Sequence, residues 1–179
     1  TDSATITIQV TPGNVNNQVS FEVNVQKLDG TPLVGPIGLG QQFIVEVTTQ
    51  DLRPNVVPDP VDGTDVRGVY AGYLDLLFDR TRVQPVPVPV AVNPFGFDIT
   101  FGAVYGEALQ GSLNTPSMID EVGATFVGTT SLPVVGGAKV ILFRVKYEVL
   151  ATAPNGVANF LTDPSDKPAN AVLISDPNV

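Results

Sequence analysis

A short acidic segment carries the best set of metal ligands in the sequence. Asp59, Asp62 and Asp65 place three carboxylates within seven residues, and Gly63 between them permits a tight turn. Calcium prefers about six to eight oxygen ligands, which clustered carboxylates and loop carbonyls supply together. The segment lacks the final bidentate glutamate of an EF-hand loop. Both a solvated acidic turn and a calcium site fit this pattern, and no cofactor is expected to be required.

The remaining carboxylates do not predict a catalytic pair. Glu107, Asp120 and Glu121 are the candidates for glycoside hydrolysis, which needs two carboxyl groups flanking one bond. Adjacent residues of a strand point to opposite faces, so Asp120 and Glu121 are predicted to lie apart. Asp163 and Asp166 are predicted to belong to a short turn, where carboxylates typically cap backbone N–H groups.

The composition argues against other kinds of catalysis. The chain has no histidine and no cysteine, which removes the commonest general base, the thiolate nucleophile and the usual transition-metal ligands. The segment 136–139 lacks the spacing of a phosphate-binding loop, and no serine lies in a nucleophile elbow. We therefore predict that the protein is not an enzyme.

The charge balance limits the classes of partner. With 9 basic and 18 acidic residues the net charge is −9, which argues against nucleic acid and anionic lipid. No segment approaches the roughly 18 uninterrupted apolar residues of a membrane span, so no membrane insertion is expected. Hydrophobic residues make up 43% of the chain, enough to bury a core. Residues 1–179 are predicted to form a single domain.

Apolar residues alternate along much of the chain, which predicts an all-β protein. The sequence also contains 17 glycines and 16 prolines, which punctuate the alternating segments with turns. Helix is expected at most as a short piece within residues 103–110. Many short strands separated by turns are typical of a two-sheet β-sandwich. The predicted strands cover residues 5–10, 19–26, 42–49, 68–78, 97–101, 118–126, 138–150, 157–161 and 171–174.

Residues 68–80 are interpreted as the central strand. A period of two places Tyr70, Gly72, Leu74, Leu76 and Phe78 on the inward face. The outward face then carries Ala71, Tyr73, Asp75 and Leu77. Since only Asp75 is charged on that outward face, the face is either covered or offered to a partner.

A proline-rich segment follows the central strand. Pro85, Pro87 and Pro89 occupy every second position of residues 83–92. Proline cannot donate to a ladder, but prolines in phase leave the intervening N–H groups free to pair along the other edge. The segment is predicted to be an edge strand or a polyproline segment.

Three stretches together resemble a known family. They read GVYAGYLDLLFDR at 68–80, MIDEVGAT at 118–125 and KVILFRVKYEVLATAPNGVANFLTDPSD at 139–166. In this order they resemble the cohesin-like modules of bacterial cell-surface proteins, particularly the large multidomain proteins of planctomycetes. The resemblance implies a sandwich of about nine strands with jelly-roll topology. The predicted N-terminal hairpin, residues 1–30, belongs to it.

The resemblance also implies a binding face. Cohesins use one sheet face to hold a dockerin module, and their facing strands match residues 68–78 and 138–147. Carried over, the partner-binding face comprises Ala71, Tyr73, Asp75, Leu77, Val140, Leu142, Arg144 and Lys146. The strand phase favours the same positions, because it places Ile141, Phe143, Val145, Tyr147 and Val149 inside.

The sequence thus predicts a non-catalytic protein–protein interaction module, extracellular or on a bacterial cell surface. Its partner would be a dockerin-like module. A carbohydrate-binding or adhesive module is the first alternative, although only Tyr73 and Tyr105 are placed to stack on a surface glycan. A structural spacer domain is the second alternative.

Overall fold

The part of the chain that the structure describes contains β-strands joined by turns and loops, with no helix. The computed structural model describes residues 6–11, 19–53, 67–127, 137–166 and 173–174. Eleven strands lie in these ranges, and none of their residues is helical. In chain order they are β1 (Ile6–Thr11), β2 (Val19–Gln26), β3 (Gln42–Asp51), β4 (Val69–Phe78), β5 (Val83–Pro85), β6 (Ile99–Phe101), β7 (Tyr105–Ser112), β8 (Met118–Phe126), β9 (Val140–Val149), β10 (Gly156–Pro164) and β11 (Leu173–Ile174).

The strands form two sheets packed as a β-sandwich, which confirms the predicted fold class. The first sheet has the order β1-β10-β4-β8-β7, and β11 also pairs with β4. The second sheet has the order β2-β3-β9-β5, and β6 also pairs with β9. Neighbours run antiparallel except β1 and β10, which run parallel. The nine predicted strands all have counterparts, and the two further strands are β5, in the proline-rich segment, and β7, in the region where a short helix was expected.

Aromatic side chains fill the space between the sheets. The Tyr147 ring, on β9 of the second sheet, lies 4.9 Å from the ring of Phe160 and 5.4 Å from that of Phe78. Phe160 and Phe78 belong to the first sheet. Phe43, on β3, stacks on Tyr147 at 5.9 Å. These four rings are buried in one continuous hydrophobic cluster, so they hold the two sheets together.

The phase predicted for β9 is correct over its C-terminal part and wrong at Leu142. Phe143, Val145 and Tyr147 are fully buried as expected. Val47 pairs with Phe143 but Thr48 pairs with Ile141, so Leu142 is an extra residue, a β-bulge. The bulge turns Leu142 into the core, where it is fully buried and packs over Gly72 of the opposite sheet.

Two other predictions are wrong. Among the described residues β1 and β2 do not pair as the predicted N-terminal hairpin, because β1 pairs with β10 in the first sheet and β2 pairs with β3 in the second. Residues 103–110 contain no helical turn, because most of them belong to β7 at the edge of the first sheet. β7 is irregular, with register shifts against β8 and a positive φ of 45° at Ala108. This irregularity disrupts the alternation by which a strand is recognised.

The proline-rich segment lies at a sheet edge, as predicted. β5 pairs with β9 only through residues 83–85, and Val86 and Val88 continue to donate hydrogen bonds, to the carbonyls of Lys146 and Gly96. The prolines alternate with these donors. Each proline therefore occupies a position where an N–H group is not needed.

The core contains one polar atom whose removal should stabilise the fold. The Tyr147 hydroxyl is buried and has no hydrogen-bond partner among the described residues. Tyr147→Phe should therefore raise the free energy of unfolding by about 0.5–2 kcal/mol. Tyr105 is the matched control, because its buried hydroxyl donates to the Val69 carbonyl at 2.9 Å. Tyr105→Phe should lower stability by about 1 kcal/mol in the same urea titration. Equal destabilisation by both changes would contradict this account.

Candidate functional site

The eight residues predicted to form one binding face do not lie on one face. β4 belongs to the first sheet and β9 to the second, so their outward surfaces lie on opposite sides of the sandwich. The resemblance to cohesins implied that the two strands share one sheet face, and the sheet order contradicts this. The prediction of a continuous surface is therefore wrong, and each strand has to be considered with its own sheet.

The outward surface of β4 is largely covered. Ala71, Tyr73 and Asp75 are all buried, and Leu77 is half-buried. The Tyr73 hydroxyl donates a hydrogen bond to the Ala108 carbonyl at 2.7 Å, which fixes the ring against β7. Burial raises the pKa of the Tyr73 hydroxyl, so it stays protonated at neutral pH. This surface has no broad accessible area on β4.

The tyrosines cannot form the predicted sugar platform. Tyr73 and Tyr105 were the two rings expected to be exposed, and both are at least nine-tenths buried. Tyr147 lies in the core, and Tyr70 is half-buried on the inward face of β4. Stacking on a sugar requires an open ring face. None of the four tyrosines of the chain therefore presents an open ring face to a surface glycan.

The outward surface of the second sheet is open and polar. We call it the polar face. Ile44 of β3 lies on it between Gln26 and Lys146, and its charged and amide side chains are Glu22, Gln26, Glu46, Lys139, Arg144, Lys146 and Glu148. At its centre Glu46 accepts hydrogen bonds from Gln26 Nε2 at 3.0 Å and from Arg144 Nε at 2.8 Å. The Arg144 side chain remains 40% exposed, whereas that of Glu46 is 9% exposed. The guanidinium group thus covers the carboxylate and remains in contact with solvent.

Charge pairs continue around this centre. Lys146 pairs with Asp98 beside β6, and Lys139 pairs with Glu22 on β2. At the far end Gln84 of β5 donates to Glu148 at 2.6 Å. The two lysine side chains are 34% and 43% exposed. Arg144 and Lys146, two of the eight predicted face residues, are therefore accessible on one surface with ordered neighbours.

A carboxylate cluster on the first sheet was missed from the sequence. Leu74 pairs with Val122 and Leu76 pairs with Ile119, so two residues of β8 oppose Asp75 alone. The two residues are Asp120 and Glu121, at a β-bulge where Glu121 has a φ of 52°. Ligand oxygens of Asp75, Asp120 and Glu121 all lie within 4.8 Å of one another. The prediction that Asp120 and Glu121 lie apart is therefore wrong.

The cluster extends to the turn after β10. Asp163 is the register partner of Asp75 on the other side of β4, and the Ser165 hydroxyl donates to Glu121. Asp75 Oδ1 accepts the backbone N–H of Glu121 at 2.8 Å, which closes the bulge. Burial raises the pKa of Asp75, and the negative charges of neighbouring carboxylates raise it further against that hydrogen bond.

The cluster has the chemistry of a cation site but not of a catalytic pair. Asp75, Asp120 and Glu121 are the one group of three acidic side chains in the described ranges that converges closely enough for a single metal ion. Their oxygens suit hard cations such as calcium. Asp75 and Glu121 are each more than nine-tenths buried, so they do not flank an open cleft. Asp59, Asp62 and Asp65 lie outside the described residues.

One glycine marks the bulge in the sequence. A Cβ atom on Gly123 would lie 1.9 Å from the Gly72 carbonyl oxygen, so only glycine fits there. Glycine inside a strand often accompanies a bulge or a close backbone approach. Gly123 was the available signal that the alternation of β8 is interrupted near Asp120.

Comparison with known proteins adds no assignment. The chain matches no protein-family model, and no curated protein matches it. The resemblance to cohesin-like modules therefore stays a prediction. Among the described residues there is no helix long and apolar enough to cross a membrane.

The carboxylate cluster predicts an unusual pH dependence. Because the pKa of Asp75 is raised in the folded state, the folded protein binds the proton more tightly than the unfolded chain does. The contribution of Asp75 to stability should fall as pH rises from 3.8 through its folded pKa. Asp75→Asn keeps the oxygen that accepts the Glu121 N–H. Relative to wild type, this variant should gain stability over the same pH range, measured by urea unfolding.

Asp29 serves as the control of opposite sign. Hydrogen bonds from the Thr31 side chain and backbone lower the pKa of Asp29, so its contribution to stability grows as pH rises. Asp29→Asn should accordingly lose stability relative to wild type as pH rises through the folded pKa of Asp29 toward 3.8, and the difference should be constant above that pH. A relative pH profile of Asp75→Asn that is flat, or that slopes in the same direction as that of Asp29→Asn, would contradict the account of the cluster.

Calcium binding by the acidic segment 59–65 remains a prediction, and thermal unfolding tests it. If Asp59, Asp62 and Asp65 bind calcium, millimolar calcium should raise the melting temperature, by the stability that a ligand of the folded state adds. Asp62→Ala should remove the rise, and magnesium should have little effect. Asp120→Asn is the matched control, because it removes a carboxylate from the carboxylate cluster instead. The calcium-induced rise in melting temperature should remain in this variant. A rise that persists in Asp62→Ala, or an equal rise with sodium at matched ionic strength, would contradict the prediction.

Proposed function

We propose that the chain is a non-catalytic, cohesin-like protein–protein interaction module of a bacterial cell-surface or secreted protein. It binds a dockerin-like module through the polar face of the second sheet. One observation supports this choice of surface: the polar face is accessible, whereas the β4 surface of the first sheet is buried at Ala71, Tyr73 and Asp75. In this proposal the two sheets follow jelly-roll topology.

The geometry of the polar face suits protein recognition. Its strands form a continuous surface of β2, β3, β9 and β5, and cross-strand pairs hold its long side chains in defined positions. Ordered side chains lose less conformational freedom on binding, which lowers the entropic cost of an interface. Arginine is enriched at interfaces, and Arg144 lies near the centre of this face. Charges of both signs favour a partner with a complementary pattern.

The alternatives have less support. A carbohydrate-binding module would need exposed rings, and the tyrosines predicted for that role are buried. A structural spacer needs no ligand, so it is the interpretation that remains if the polar face has no partner.

Charge reversal on the polar face should weaken binding without unfolding the domain. Lys139→Glu with Lys146→Glu should weaken binding to a dockerin module at least tenfold, about 1.4 kcal/mol. Stability should fall by less than about 1 kcal/mol for each change, because partly exposed ion pairs contribute little. Isothermal titration calorimetry against a panel of purified dockerin modules measures the affinity. Arg144 is left unchanged, because its loss would leave Glu46 buried without its cation.

The control reverses the same number of charges elsewhere. Lys27→Glu with Arg80→Glu alters two exposed residues outside the polar face and produces the same net charge. This variant should bind like wild type. Equal weakening by both double variants would show a general charge effect, and a wild-type chain that binds no module of the panel would overturn the proposal.

A further inference from the structure

A proline-rich finger projects from the edge of the second sheet. β5 and β6 both pair with β9, β5 at residues 147–149 and β6 at residues 143–145. The chain between them is residues 86–98. We call residues 86–97 the finger, which leaves this edge and returns to it. At its base Val86 donates to the Lys146 carbonyl, and Lys146 in turn donates to the carbonyl of Asp98. The finger therefore begins and ends beside a residue of the polar face.

The finger is apolar and carries no charge. Residues 85–97 contain no acidic or basic side chain. Val90 and Val92 are 69% and 77% exposed, which places them among the most exposed large hydrophobic residues of the described chain. The other exposed positions are Pro87, Pro89, Ala91 and Pro94. A contiguous apolar surface of this kind is typical of an interaction site in a soluble protein.

Backbone hydrogen bonds fix the shape of the finger. Val88 donates to the Gly96 carbonyl at 3.0 Å, and Asp98 donates to that of Val86 at 2.9 Å. The tip is a turn in which Val92 and Asn93 both donate to the Pro89 carbonyl. Asn93 also ties the turn to the sheet, because its side chain donates to the Ile99 carbonyl at 3.2 Å.

Aromatic contacts support the side of the finger that faces the sheet. The Phe95 ring lies 6.2 Å from that of Phe97 and 5.7 Å from that of Phe101 on β6. Phe97 is fully buried in the core. With one side packed and the tip ordered, the valines are held out toward solvent. Their exposure is thus a property of a defined conformation, and little order has to be gained when a partner covers them.

We propose that the finger is an apolar anchor, which inserts Val90 and Val92 into an uncharged aliphatic pocket of the protein that covers the polar face. This inference rests on the proposed function. The continuity of the finger with Lys146 and Asp98 places both surfaces within reach of one partner. Interfaces commonly combine a desolvated apolar anchor with a polar, solvated surround.

The surroundings of the finger favour a protein over a lipid surface. A net charge of −9 repels anionic membranes. The tip has no tryptophan, tyrosine, lysine or arginine, the side chains that anchor loops at a membrane interface. A proline-recognising domain is also disfavoured, since Val86 and Val88 use their N–H groups in a β-type ladder rather than a polyproline helix.

The test compares two charge insertions at exposed valine or leucine positions. Val90→Asp with Val92→Asp should weaken binding at least tenfold to the dockerin module that binds the wild-type chain most tightly. Leu28→Asp with Val34→Asp is the control, because these residues are 53% and 86% exposed in the loop between β2 and β3. The control should bind like wild type. Thermal unfolding should show that both variants retain the wild-type melting temperature.

The outcomes separate the anchor from the proposed function. If Lys139→Glu with Lys146→Glu weakens binding at least tenfold while the finger variant binds like wild type, the anchor is wrong and the function stands. If the wild-type chain binds no module, both fail. Phosphatidylcholine vesicles test for binding to a lipid surface, and the wild-type chain should not co-sediment with them. Co-sedimentation that is lost in the finger variant would overturn the anchor in favour of a lipid surface.

Discussion

Packing between the two sheets around Tyr147 is the constraint on which the rest of this structure depends. The ring contacts Phe78 and Phe160 of the first sheet and stacks on Phe43 of its own sheet. Stacked sheets lie about 10 Å apart, a distance that large interdigitating side chains fill. With this cluster in place, β4 and β9 must face each other across the core. Their outward surfaces then belong to opposite sides of the molecule, and only the β9 side is open.

Two bulges then determine which side chains reach each surface. In β9 the extra residue is Leu142, which joins the core, so the accessible part of this strand begins at Arg144. In β8 the extra residue places Asp120 and Glu121 opposite Asp75. The sandwich therefore separates two kinds of chemistry. One side carries paired charges of both signs. The other concentrates carboxylates, where burial first and then mutual repulsion raise the pKa of Asp75.

Local pattern predicted the fold class and most of the core, because alternation is a property of a single strand. Leu74, Leu76 and Phe78 are buried as their phase indicates, and the proline-rich segment lies at an edge. Sheet membership could not be predicted in this way. The residues of β4 and β9 do not indicate whether these two long apolar strands are neighbours in one sheet or lie in opposite sheets. The bulge of β9 is similarly hidden, since one extra residue reverses the phase without changing composition, whereas Gly123 is a signal for the bulge of β8.

The accessibility of the two outward surfaces tests the account most directly, and the absence of cysteine from the chain makes single-cysteine labelling straightforward. Ala71→Cys places a thiol on the outward surface of β4, and Lys146→Cys places one on the polar face. In the native state a maleimide should modify Lys146→Cys rapidly and Ala71→Cys only after denaturation. Equal rates of modification for the two native variants would show that β4 is open, and would contradict the assignment of the polar face as the accessible surface of the sandwich.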